Sequence, residues 1–485
     1  MRRLLKSSAA AAIILGSTAA APAPSLSAWI QGFVKIQAPV VALIHARIID
    51  GTGAPPREDQ TLVISEGKIT EVGDVHSIAV PKQAKVVDLK GETIIPGLVG
   101  MHEHMFYSNG WGIFTEMPIS FPLLYLAGGV TTVRTAGTFE PDTDIDIKRR
   151  IDSAQMPGPK MHLTGPYLEG AGGWSMQMHI LTGPEDAVRT VNYWLDEGIE
   201  GFKAYQYITP AELKAAADAA HKRGATITGH LCSIGFREAA ALGIDNIEHG
   251  LIIDTEFYPE KKAGECPETQ HGLELLAKLD VNSGPVHDMI VDLVHHHVAI
   301  TSTLAVFEMG LPGRPTIQQR VLDAMTVEAR ADFLAGKVAA ADTATQRKQY
   351  GDEPPPYPAV FKKEMEFELA FAKAGGHLMA GVDPTGPGGV LPGYGDQREV
   401  ELLVEAGFTP VEAIRIATLN GAEFLRIDKE TGSIAVGKDA DLVVIKGDPS
   451  RQIADIENVD TVFKDGIGYD AAKIADSVRG MVGVR

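Results

Sequence analysis

One stretch limits the fold more than any other: Ile94-Ile-Pro-Gly-Leu-Val-Gly-Met-His-Glu-His-Met-Phe-Tyr107. An apolar run punctuated by Pro and Gly reads as a short buried strand. Side chains two apart on a strand leave the same face. His102 and His104 therefore point together, and Glu103 points the other way. Two imidazoles at one strand end suit a divalent cation. A His-x-His pair alone is common, so its meaning depends on whether further ligands appear downstream.

The flanks of the chain carry strand patterns. From Val40 to Val99, apolar and polar residues alternate between turn formers, as in Thr61-Leu-Val-Ile-Ser-Glu-Gly-Lys-Ile. A second set closes the chain, from Gly432 through Val459-Asp-Thr-Val-Phe-Lys-Asp-Gly. The expectation is one small antiparallel β-sandwich domain, residues 36–97 plus 426–485, assembled from both ends. Between them, strand and helix patterns alternate. Short apolar runs at Val130–Arg134, Lys160–Thr164, Gly201–Tyr205, Ala225–Thr228, Asn246–Glu248, Val298–Thr303 and His377–Gly381 join Ile94–Val99 to make eight. Eight such strands with intervening helices over roughly 250 residues or more fit an α/β fold of the (β/α)8 TIM-barrel type, residues 98–425. An insertion at about 308–357 follows the seventh strand, where a lid, an oligomer contact and a plain insertion are equally open.

Residues 1–28 stand apart. Arg2, Arg3 and Lys6 precede the apolar run Ala9–Gly16, and small residues follow. This order is that of a secretory signal peptide cleaved after Ala20 or Ser27, so the protein is expected in the periplasm or outside the cell. With 44 basic against 63 acidic residues, the net charge of −19 argues against nucleic acid or an anionic membrane as partner. The expected partner is a small molecule, with a homo-oligomer left open. Two cysteines, Cys232 and Cys266, make no framework, and pairing and free thiols are equally open.

The other ligand candidates fall at strand ends, where barrel chemistry sits. Lys203 ends the fourth run, His230 follows the fifth, His249 the sixth and Asp383 the eighth. With these motifs, including Gly129-Val-Thr-Thr-Val-Arg, Asn246-Ile-Glu-His-Gly and the tail Thr431-Gly-Ser-Ile-Ala-Val-Gly-Lys-Asp-Ala-Asp-Leu-Val-Val, the chain resembles the amidohydrolase superfamily in its binuclear-metal form. The likeness covers nearly the whole chain past the leader and is nearest to imidazolonepropionase-related and Xaa-Pro dipeptidase-like members. It implies that His102, His104 and Asp383 hold one divalent metal, with zinc the default, and His230 and His249 a second. Lys203 would bridge the two. An ammonium cannot ligate a cation, so the bridge implies a carboxylated lysine, the carbamate formed with CO2. After Lys203 the sequence Ala-Tyr-Gln-Tyr replaces the small Ser-Gly-Gly-type turn of the dipeptidase pattern, which leaves dipeptide specificity open.

The resemblance implies a metal-dependent amidohydrolase that cleaves carbon–nitrogen bonds of small molecules, such as dipeptides or N-acyl amino acids, through a metal-bridging hydroxide. Asp383 would shuttle the proton. Cyclic amides, lactones and aryl amides are the same-fold alternatives, and a non-catalytic periplasmic binding protein is a different class. Tyr205, two residues past Lys203 on the same face, and His179, in the Gly-rich loop after the third strand, are further catalytic candidates. Glu169 and Arg134 could also enter the pocket. His295-His-His297 precedes the seventh strand at the opposite end and reads as a helix C-terminus.

Overall fold

The computed structural model describes residues 25–109, 112–259, 261–267, 269–350, 356–385 and 388–483. The expected leader falls almost wholly outside them. Its last positions do not: Ser27 caps the helix Ala28–Gln31 by accepting from Ile30 N at 3.2 Å, and its hydroxyl donates to Gln155 O at 3.0 Å.

Both ends of the chain build one hydrogen-bonded sheet of nine strands. Val34–Ile36 pairs with Ile467–Asp470, and Leu442–Lys446 pairs with Glu92–Pro96, so first and last segments interleave. The sheet is mixed, not purely antiparallel, because Val40–Ile48 runs parallel to Lys85–Asp88 and to the end of Glu92–Pro96. Leu43, Ile48, Leu62, Ile94, Leu442 and Phe463 fill a core of its own. Lys160, from the middle of the chain, fastens this sheet from below by reaching Asp439, Asp441 and Asp465 at 2.7, 2.9 and 2.9 Å.

The organising stretch divides where proline and glycine stand. Glu92–Pro96 belongs to the end-built sheet, whereas Leu98–Glu103 is the first of the parallel strands, correcting the single run expected over 94–99. Gly97 makes the crossing: a Cβ there would lie 2.0 Å from Thr131 Oγ1.

Parallel pairing then runs in two arcs. Leu98–Glu103 pairs with Val130–Thr135, which pairs with Lys160–His162. The third strand breaks at Leu163 and resumes as Thr164–Leu168, from which pairing continues through Gly201–Ala204, Thr226–Gly229, Asn246–Glu248, Ala299–Ser302 and Leu378–Ala380. The last strand returns to the first, where Val382 N and Asp383 N both donate to His102 O at 3.3 and 2.9 Å. Helices such as Pro210–Lys222, started by a Thr209–Glu212 capping box, follow the strands and bury their alanine and leucine faces. The molecule is thus a mixed α/β fold.

The insertion contains the helices Gln319–Ala324 and Val327–Tyr350. It is tied to the chain's far end, since Thr326 N donates to Val482 O at 2.8 Å. Cys232 and Cys266 form a disulfide. Among the described residues no helix is long and apolar enough to cross a membrane.

Candidate metal centre

Six residues from five parallel strand ends meet in one buried cluster. His102 and His104 lie at the end of the first strand with ring centroids 5.3 Å apart. His249 sits 4.5 Å from His102 and 4.4 Å from His230, centroid to centroid. Asp383 Oδ1 is 3.2 Å from His104 Nε2 and 3.7 Å from His102 Nε2. Lys203 Nζ lies 3.1 Å from His102 Nε2.

The backbone holds this geometry under strain. His249 and Asp383 have φ of 71° and 49°, a left-handed conformation costly for residues with a Cβ. Gly381 admits the last strand against the first, because a Cβ there would lie 2.3 Å from His102 N.

Three of the four rings are tied through Nδ1, while His230 Nε2 meets the Gln206 side-chain amide at 3.2 Å. His102 Nδ1 faces Glu248 Oε2 at 2.8 Å, and His104 Nδ1 faces the Gly137 carbonyl at 3.0 Å. Partners that only accept force the proton onto Nδ1 and leave each Nε2 lone pair directed inward. His249 Nδ1 meets Thr303 Oγ1 at 2.7 Å, and its Nε2 is buried with no partner. Burial, together with Lys203, pushes His102 down to about 4 and His230 down to about 3. Burial alone would raise Asp383, but the His102 and His104 rings hold its carboxyl well below the ordinary range. Lys203, fully buried, is lowered to about 8 by desolvation and by Arg134, against the pull of Glu248 and Asp383. Neutral imidazole nitrogens, one orphaned, converge with a carboxylate: His102, His249 and Asp383 offer ligand atoms within 4.8 Å of one another. This donor set fits a divalent cation.

Sequence reasoning overlooked Glu248. Its carboxylate receives Arg134 Nη2 at 2.6 Å as well as His102 and the Thr228 hydroxyl. Burial would raise it, yet the Arg134 guanidinium and His102 keep it well below the usual carboxylate range. The available signal was alternation, since Asn246 and Glu248 share the inward face of one strand. Arg134 therefore enters the interior, but as a clamp on Asn246 and Glu248. Glu169 instead accepts from Gly170 N and Tyr207 N at 2.8 and 2.7 Å and holds two loops together.

Tyr205 adjoins the cluster, 5.0 Å from the His230 ring and 4.8 Å from Tyr167. Burial, Asp383 and Glu169 raise its hydroxyl pKa. It closes an aromatic wall that the sequence did not announce. Phe106 stacks on His104 at 4.5 Å, Phe114 on Phe139 at 4.9 Å, and Phe139 meets Tyr167 at 5.0 Å. His179 is half exposed and pairs with Asp186 at 3.1 Å. No hydrogen bond, ion pair or ring contact joins it to the histidine cluster among the described residues. Its position follows from the helix Pro184–Asp196, whose first turn supplies Asp186. His295 ends the helix Gly284–His295, just before the N-terminal end of the strand Ala299–Ser302 and not at its C-terminal end.

Residues 367–467, which include Asp383, match the model of the amidohydrolase family. Over that segment, about a fifth of its length, the chain is similar to the amidohydrolase family. Over 46 residues the chain is 46% identical to adenine deaminase 4 of Rhizobium meliloti, a stretch covering 10% of this chain and 8% of that protein. The chain thus spans only a small part of the length of that relative. In fold it is similar to a Bifidobacterium longum protein assigned as a prolidase, with a TM-score of 0.64 and 23% identity over 92% of this chain and 99% of that one. A Xaa-Pro dipeptidase with bound methionine gives 0.63 and 20% over 89% and 100%. At these identities the likeness is one of fold.

Proposed function

We propose that this protein is an exported, metal-dependent amidohydrolase that cleaves amide bonds in small molecules such as dipeptides or N-acyl amino acids. The observation that carries the reading is the convergence of inward Nε2 lone pairs on Asp383 and Lys203, with the opposite ring nitrogens tied off. In this reading the parallel strands close as a (β/α)8 barrel over residues 98–425. The end-built sheet packs as a separate β-sandwich domain over residues 36–97 and 426–485.

His102, His104 and Asp383 would hold one divalent cation, and His230 and His249 a second. Lys203, as its carbamate, would join the two. Bound there, such cations supply an acidified water and a polarised carbonyl. The chain's own residues do the rest. Asp383 Oδ1, held by the Thr385 hydroxyl at 2.8 Å, accepts the water's proton and returns it to the leaving nitrogen. Phe106, Phe139 and Tyr167 shield the reacting carbonyl from bulk water, and the Tyr205 hydroxyl binds a substrate carboxylate or carbonyl oxygen. His179 orders its loop through Asp186. Export is supported by the basic-apolar-small order of the leader and by the Cys232–Cys266 pair, which an oxidising compartment would preserve.

The test is a hydrolysis screen on metal-reconstituted protein over dipeptides, N-acyl amino acids, aryl amides, lactones and adenine, run beside Lys203→Ala. The expectation is turnover of a dipeptide or N-acyl amino acid, with metal and activity lost together in the variant. Full metal and full rate without Lys203 would reject the bridge. Two bound metals without turnover of any amide or ester would favour a binding protein.

A further inference from the structure

Opposite the histidine cluster, at the N-terminal ends of the third to fifth strands, the structure has a second cavity of about 390 Å³. Thr164, Gly201 and Thr226, each the first residue of its strand, border it, whereas His102, His230 and Asp383 lie at or past the other ends of their strands. Its size falls in the range of small-molecule clefts. Its walls are partly apolar, from Ile199 and the Phe424 ring, and three guanidinium groups face it.

These three differ in what they have left to offer. Arg223 is engaged by Asp196 at 2.8 Å and by Asn192 O at 3.2 Å. Arg134 forms part of the cavity lining; its terminal nitrogens are used by Asn246 and Glu248, but its Nε is buried and has no partner. Arg426, on the rim with φ of 61°, makes no side-chain hydrogen bond or ion pair among the described residues. The one nearby carboxylate on the rim, Glu200, is taken by His162 at 2.6 Å. The cavity therefore presents one free guanidinium, one orphaned buried N–H and an apolar wall. A buried donor without a partner costs about 1–3 kcal/mol, a cost that an accepting ligand relieves.

We propose that this cavity is a binding site for a small monocarboxylate with an aromatic or branched apolar body. The carboxylate lies between Arg426 and Arg134 Nε, and the body rests on Phe424 and Ile199. A polyanion fits less well, because two of the three arginines are already neutralised by Asp196 and Glu248. The site shares no residue with the cluster of His102, His230, His249 and Asp383. The Arg134 head group nevertheless runs from this cavity to Glu248 and hence to His102.

Benzoate is the probe, titrated by calorimetry into the full-length, metal-loaded protein, with benzamide as the neutral isostere. The expected result is benzoate binding in the millimolar range or tighter and much weaker binding of benzamide. Arg426→Gln should weaken benzoate roughly tenfold, the usual worth of a charge-assisted contact, and Arg426→Lys by less. Arg426 is exposed and outside the metal cluster, so both variants should fold and keep their metal. Equal affinity in wild type and Arg426→Gln, equal binding of benzamide, or no heat in the millimolar range would overturn the proposal. Because the readout is binding, its failure would leave the hydrolase reading untouched.

Discussion

Glu248 and Glu368 are both carboxyl groups without exposed surface, the first ending one parallel strand and the second bonded to Ser302 at the end of the next, yet they live in opposite chemical states. Glu248 has a guanidinium at 2.6 Å and an imidazole at 2.8 Å, and stays ionised. Glu368, on the helix Tyr357–Lys373, has acids for neighbours. Burial, then Glu364 and Glu399, raise it well above the ordinary range. Burial also lifts Glu399 to about 7, Glu364 to about 8 and Asp396 to about 7. Hydrogen counting gives the same answer. Ser302 Oγ lies 2.9 Å from Glu368 and 2.6 Å from Glu399, and one hydroxyl hydrogen cannot serve two carboxylates. At least one of the pair must be a protonated acid that donates. Equal burial thus gives an ion where a fixed cation waits and a neutral acid where none does.

If that contrast is right, replacing an ionised acid by its amide should be costly and replacing a protonated one should not. Asp383→Asn is the severest case. It keeps the shape but cannot take a proton, so kcat should fall roughly 10²–10⁴-fold while five proposed ligands keep most of the metal. Metal content and turnover measured on one sample check this; near-normal turnover would move the proton to another group, with Tyr205 next. Glu248→Gln should come second. It frees His102 Nδ1 and strands Arg134, weakening metal binding roughly 10- to 100-fold and costing about 3–5 kcal/mol of stability. Wild-type affinity in a metal competition assay would mean that the Glu248 charge does not position His102.

Glu368→Gln should be nearly silent in acid, and its effect should grow with pH. The folded protein holds this proton more tightly than the unfolded chain, whose carboxyl titrates near 4.5. Between 4.5 and the raised value the native state carries the extra proton, so stability falls as pH rises through that window. Glutamine does not titrate. The variant should match wild type near pH 4.5 and exceed it at pH 8, the gap growing by at most about 1.4 kcal/mol per pH unit. Denaturant midpoints at the two pH values decide it, and parallel profiles would show that Glu368 is ionised.

The same contrast explains what the sequence made legible. Residues at apolar-run ends could be found because strand alternation and position fix where His102, Lys203, His230, His249 and Asp383 point. Glu364 and Glu368, one turn apart on a helix, read equally well as a solvated charged face, since spacing defines a face without saying what covers it. Glu248 was hidden for another reason. Its partner Arg134 lies four strands away along the sheet and meets it only across the interior. The aromatic wall combines residues from the first to fourth strands and their loops, so no local pattern contains it. The Pro96-Gly97 break was visible as punctuation, but not that the chain changes sheets there. His179 sat in a loop, where sequence gives no direction to a side chain.

The seam at Gly381 carries a consequence beyond the placement of two ligands. One carbonyl, that of His102, receives the amides of Val382 and Asp383, and on either side of it stand donor atoms from the first and last parallel strands. A cation shared by His102, His104 and Asp383 would act as a buckle, joining the two ends of a belt. Binding and closure would then be one equilibrium seen from two sides. The single added carbon of an alanine at 381, touching no substrate, would be felt as a belt that no longer meets its buckle.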